Sequence, residues 1–199
     1  FRQVTLDEEI PEDINILVIA DVREVLPEAH RKNLDAYIAR GGNLLIAGEP
    51  KRQKYMNPLV EQFGVRFMSG RLVSPSENFQ SDFIMSKVTK EAAEFSYELK
   101  DMYRYGNVAT MPSTVGLDLS GIPNSGFKVT VLLVTDSLKT VWNEVESTDF
   151  VDEIPVMNPD KGEVELNQVP TMVALSRAVG NREQKIIILG DADCLSNGE

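Results

Sequence analysis

The hydrophobic pattern of the chain begins with Ile14–Ala20, INILVIA, a nearly unbroken apolar run rich in Ile and Val. A run without polar alternation predicts a strand buried on both faces. Asp21 closes it. Leu34, Tyr37 and Ile38 then fall on one face of a helical pattern and predict a helix from Pro27 to Arg40. Pro27 suits the first turn, where its missing N–H is not needed. Gly41-Gly42 supplies a left-handed stop that glycine adopts at low cost. Asn43–Ala47, NLLIA, follows as a second buried strand and ends at Gly48-Glu49-Pro50. Strand, helix and strand joined by short links make a βαβ unit.

Beyond it the signals are shorter. Tyr55 to Phe63 reads as a helix, with Asn57-Pro58 near its start and Gly64 after its end. Val65 to Phe67 and Arg71 to Val73 read as short strands. Ser74 to Ser81 reads as a polar loop, and Asp82 to Val88 as an edge strand. Lys90 to Tyr105 has helical composition, and Asn107 to Met111 reads as a strand running into Pro112. Phe127–Thr135, FKVTVLLVT, is a strand. Thr148 to Gln168, rich in acids and broken by Pro155, Pro159 and Gly162, reads as a long excursion shaped as an irregular hairpin. Thr171 to Val179 and Lys185 to Leu189 are the last strands, joined at Gly180-Asn181. No repeat, low-complexity tract or composition shift divides the chain. The expectation is one α/β domain, with a largely parallel sheet at its start and antiparallel additions later.

Composition narrows the function classes. The 199 residues carry 31 acidic and 20 basic side chains, a net charge of −11. That balance repels nucleic acid phosphates and anionic lipid, so neither is expected as a direct partner. No apolar run approaches the ~18–20 residues that span a bilayer. The chain starts at Phe1 and ends at Glu199, and reads as a piece of a longer protein; any signal peptide or membrane anchor would then lie outside it.

The candidate chemistry sits at strand ends. Asp21 follows the first strand, Glu49 the second, and Asp191 with Asp193 the last. Ligands of open α/β sheets bind beyond the carboxyl ends of the strands. If these strands are parallel neighbours, their carboxylates converge at one rim. There they could hold Mg²⁺ or Ca²⁺, or work as general acid and base. The competing reading is structural: an Asp at a strand end caps the next turn by accepting a backbone N–H, with Asp191 or Asp193 capping a turn near Cys194 that continues through Ser196 and Asn197.

Cys194, the only cysteine, lacks the small flanking residues of a nucleophile elbow and stands between Asp193 and Leu195. Nearby carboxylates raise a thiol's pKa, and the only imidazole, His30, lies on the first helix. An inert, partly buried thiol is expected. Lys51, Arg52 and Lys54 could grip an anion, but the loop lacks phosphate-cradling glycines, and no Walker-type or Gly-x-Gly-x-x-Gly sequence occurs. Trp142 could cover an apolar edge or line a ligand crevice; core or edge packing is the commoner fate of a lone Trp.

Taken in order, Ile14–Ala20, Leu34–Ile46, Leu132–Ser137 with Trp142, and Ile186–Asn197 resemble the extracytoplasmic domain of the auxiliary component of an ABC-type transport system. That family includes a gliding-motility component. The chain departs from it at Cys194, where an aromatic is usual, and at Pro50-Lys51-Arg52, where many members have a short acidic turn. The resemblance implies a three-layer sandwich with a mostly parallel central sheet, similar to class I glutamine amidotransferase or flavodoxin-like folds, without the amidotransferase nucleophile. It implies a non-enzymatic domain on the periplasmic side of the membrane, tethered by segments outside this chain. Its partners would be the permease and ATPase of the same system, and it would need no cofactor.

Two other functions compete. One is a divalent-metal-dependent hydrolase or phosphotransferase using Asp21, Asp191 and Asp193. The other is a carbohydrate or small-ligand binding module with a crevice near Trp142.

Overall fold

The computed structural model describes residues 2–195. In chain order its strands are β1 (Ile16–Ala20), β2 (Asn43–Ala47), β3 (Arg66–Phe67), β4 (Arg71–Val73), β5 (Phe83–Val88), β6 (Val108–Pro112), β7 (Leu117–Asp118), β8 (Lys128–Thr135), β9 (Val141–Glu144), β10 (Glu165–Leu166), β11 (Pro170–Val179) and β12 (Arg182–Leu189). The α-helices are α1 (Glu28–Ala39), α2 (Gln53–Val60) and α3 (Tyr97–Tyr105).

The main sheet runs β1-β2-β12-β11-β8-β5-β6. β1 pairs with β2, and β2 with β12, in parallel. The other four pairings are antiparallel. The fold is therefore α/β with a mixed sheet, not a mostly parallel one. The reason is visible in the joints. Parallel neighbours need a long crossover, and α1 supplies one between β1 and β2. β11 and β12 are instead joined through Gly180-Asn181, with Val179 opposite Arg182, which forces a hairpin. β5 is interior rather than an edge strand: it lies between β8 and β6, and β6 is the edge.

Side chains alternate across the sheet as strand geometry requires. Leu44, Ile46, Ile186 and Ile188 pack with Leu34, Tyr37 and Ile38 of α1 and Met56, Leu59 and Val60 of α2. The opposite face carries Leu45, Ala47, Ile187 and Leu189, packed with Ala92, Leu99 and Met102 around α3. That second cover does not reach β1. Leu17 is buried, but Ile16 is 61% and Val18 46% exposed, so β1 is covered on one face only.

α2 begins two residues before the expected helix, at Gln53, which places Pro58 in its second half. Two amides pin it: Gln53 donates to the carbonyls of Met68 and Gly70, and Asn57 exchanges hydrogen bonds with the backbone of Phe67. β4, β9 and β10 form a separate three-stranded antiparallel sheet, and β3 pairs with β7.

Candidate functional site

β2 and β12 are in register from Leu44–Ile186 to Ala47–Leu189, so the residues that follow leave the sheet side by side. The Gly48 N–H donates to the Leu189 carbonyl at 2.8 Å and carries the ladder one step further. Gly190 then passes against another chain segment: a Cβ there would sit 1.9 Å from the Val115 carbonyl oxygen. Only glycine lets the backbone through. Glu49 and Asp191 are thereby delivered together, with Asp193 on the 3₁₀ turn Asp193–Leu195.

One carboxylate oxygen from each of Glu49, Asp191 and Asp193 lies within 4.8 Å of the others. Asp191 is 0% exposed. Its Oδ1 accepts the N–H groups of Asp193 at 2.8 Å and Cys194 at 3.3 Å, so this aspartate does cap the turn. Glu49 Oε1 accepts the Ala192 N–H at 2.8 Å. Asp191 Oδ2 is buried and has no hydrogen-bond partner. Ser196 and Asn197, expected to continue this turn, lie outside the described residues.

Crowding of like charge sets the electrostatics. Burial pushes Glu49 up to about 7, the charges of Asp193 and Asp191 adding to it against the N–H bonds. Burial likewise pushes Asp191 up to about 6, with the Asp193 charge adding. Among the described residues no Lys or Arg is ion-paired to Glu49 or Asp191. The Cys194 thiol donates to the Asp191 carbonyl. Burial of the sulfur and the charges of Asp191, Glu49 and Asp193 push it up to about 11, as a nucleophile's thiol would not be. As a whole the residue is exposed rather than partly buried. His30 pairs with Asp7 at 2.9 Å.

Asp21 stands at the same rim but outside this trio. Its carboxylate takes Arg52 Nε at 2.8 Å and Arg23 Nε at 2.7 Å. Burial raises its pKa, but these two guanidiniums more than offset that and hold it below the usual range. Its backbone is left-handed, φ 43°, which Asp tolerates better than most residues, and its N–H donates to the Ala47 carbonyl. Arg52 is thus used within the fold rather than presented to an anion.

Trp142 is not at the rim. It is 4% exposed, in β9 of the three-stranded sheet, packed with Val73, Phe150 and Met157. A crevice built around its indole face loses its basis.

Sequence reasoning missed Glu144 and Glu163, both buried. Glu144 accepts the Trp142 indole N–H and the N–H groups of Glu146 and Ser147. Glu163 accepts the N–H groups of Val145 and Asn158. The acidic excursion is wound around these two carboxylates. The available signal was Glu144 itself, an acid ending the strand Val141–Glu144, in which every residue is buried.

A family model described as "ABC-type uncharacterized transport system" matches residues 1–199. No curated protein matches the chain. Among solved structures, the mmIFT52 N-terminal domain is similar with a TM-score of 0.55 and 18% identity, over 92% of this chain and 68% of that one. A ThuA-like protein from Bacteroides uniformis ATCC 8492 matches with a TM-score of 0.48 and 12% identity, over 89% and 60%. At 18% identity the first likeness concerns the fold alone.

Proposed function

This chain belongs to the ABC-type uncharacterized transport system family, and we propose that it is a non-enzymatic auxiliary domain of such a system. The match over the whole of residues 1–199 is the observation that carries this reading. In this proposal the domain stands on the extracytoplasmic, periplasmic side of the inner membrane, held there by segments outside this chain. It acts by contact with the permease and ATPase of its own system, in the manner of a gliding-motility-type auxiliary component, or by binding the transported substrate.

Two features of the site support a non-catalytic role. The Cys194 thiol is pushed up to about 11, away from the thiolate a nucleophile requires. The rim acids have structural duties: Asp191 Oδ1 caps its turn, Glu49 Oε1 holds Ala192, and Asp21 pairs with two arginines. Contact is favoured over carbohydrate binding because Trp142 is packed inside β9's own cluster.

The test is affinity capture of the full-length protein from detergent-solubilised native membranes, with mass spectrometry of what comes along. Recovery of a permease or ATPase of one transport system is expected. Recovery of neither, from a strain expressing the protein well, would overturn the proposal.

A further inference from the structure

We infer that Glu49, Asp191 and Asp193 form a binding site for one hard divalent cation, with Ca²⁺ the better-fitting ion. This goes beyond the transport reading and does not depend on it.

The first support is the orphaned oxygen. Asp191 is fully buried, its Oδ1 is saturated by two backbone N–H groups, and its Oδ2 has no partner. Buried polar atoms nearly always have one, and leaving a charged acceptor unpaired is costly. The structure around it does not offer a donor; it offers two more carboxylates. A cation is the group that would partner this oxygen and neutralise the crowded charges beside it.

The second support is placement. The three acids come from two adjacent parallel strands, at their carboxyl ends, where open α/β sheets bind ligands. Glu49 and Asp191 are fixed by backbone hydrogen bonds rather than by opposing charges. Asp193, the exposed member, leaves one side of the site accessible to water, which supplies the remaining ligands of a cation with six to eight.

The third is size. Oxygens on opposite sides of Ca²⁺, at 2.3–2.6 Å each, lie ~4.6–5.2 Å apart; around Mg²⁺, at 2.0–2.1 Å each, they lie ~4.0–4.2 Å apart. The three carboxylate oxygens lie within 4.8 Å of one another. That spread fits inside a Ca²⁺ shell; Mg²⁺ demands near-ideal octahedral geometry and gives up its waters reluctantly, so three protein carboxylates suit it less well. Oxygen donors without sulfur or imidazole also select hard ions over zinc or copper.

The competing occupant of Asp191 Oδ2 is a proton, and the experiment separates the two. The protein, stripped with chelator, is titrated calorimetrically with CaCl₂ and MgCl₂ at pH 7.5, and its melting is followed in parallel. Wild type is expected to bind one Ca²⁺ with a Kd in the micromolar-to-millimolar range, more tightly than Mg²⁺, and to melt several degrees higher. Asp191→Asn keeps the Oδ1 acceptor of the turn but removes the charge. It is expected to fold, to melt at or above the chelated wild type, and to bind Ca²⁺ at least tenfold more weakly. Glu49→Gln is a second variant with the same expectation, in case the first perturbs the turn. No heat and no melting shift with either ion would overturn the inference in favour of a proton. Unchanged binding in both variants would overturn the assignment of these residues, and tighter binding of Mg²⁺ would overturn the choice of ion.

Discussion

Glu49 accepts the backbone N–H of Ala192 at 2.8 Å, so the acid that ends β2 fastens the turn that follows β12. The two residues are far apart in sequence and are neighbours because β12 inserts beside β2. The bond both shapes the acid cluster and crowds it.

That crowding predicts a pH dependence. Glu49 and Asp191 are raised to about 7 and about 6, above the ~4 of unfolded carboxylates. The folded state therefore binds these protons more tightly than the unfolded state. The stability they confer is complete below about pH 4 and is lost as pH rises through 6 and 7. In chelator, the midpoint of denaturant unfolding should fall between pH 5 and pH 8. The double variant Glu49→Gln/Asp191→Asn should flatten that part of the profile; an unchanged slope would show that other groups set it.

Glu144 predicts the opposite sign. Burial raises its pKa, but the Ser147 N–H, the Trp142 indole, the Glu146 N–H and the Glu163 side chain more than offset burial and hold it low. Its contribution is present above the unfolded value of ~4.3 and is lost as pH falls through its lower folded value. Glu144→Ala strands three donors, including Trp142 Nε1, and should cost about 2–4 kcal/mol of unfolding free energy in urea. Trp142 fluorescence should shift with it, because the indole loses its acceptor.

Gly190→Ala tests the delivery of Asp191. The added Cβ meets backbone, the Val115 carbonyl and carbon, besides the Thr114 hydroxyl. None of these is the end of a flexible side chain, so the strand end must shift. A loss of about 1–3 kcal/mol is expected by chemical denaturation, together with a weakened Ca²⁺ response. An Ala variant as stable as wild type would mean that β12 and Val115 separate easily.

Asp21→Asn separates the pairing acid from the cluster. Asn tolerates the left-handed backbone at φ 43° but gives up the charge that draws Arg23 and Arg52. A cost of about 1 kcal/mol or less is expected, given how solvent screens such pairs. The Ca²⁺ titration should be unaltered. Loss of Ca²⁺ binding in this variant would place Asp21 among the ligands.

Cys194 should be a slow thiol although the residue is exposed. Raised to about 11, it is mostly protonated at pH 8, and alkylation by iodoacetamide should run at least ~10-fold slower than for a free cysteine. Rates followed by intact mass measure this directly.

Much of the fold is legible along the chain because periodicity is a local property. Asn43–Ala47 forms as read, β1 and α1 differ only at their ends, and Gly180-Asn181 marks the hairpin of β11 and β12. The ordered segments also point to the transport family whose model matches. The acids at the strand ends are equally visible, since they stand where the apolar runs stop.

Which strand lies beside which is not written in that pattern. Alternation assigns a residue to a face and says nothing of the strand's neighbours. β5 therefore read as an edge and is interior, and an apolar β1 read as doubly covered while Ile16 and Val18 face out. Trp142 read as a lone indole that could cover an edge or line a crevice, whereas the sheet of β4, β9 and β10 encloses it together with Glu144. Local pattern carries the longer strands, the first helix and the acids that end the strands, while the short strands β7, β9 and β10 did not read from it. The pairing of β12 with β2, which sets Asp191 against Glu49, and the two arginines that draw Asp21 aside come from the folded structure. Those choices depend on contacts between distant segments, which no local pattern encodes.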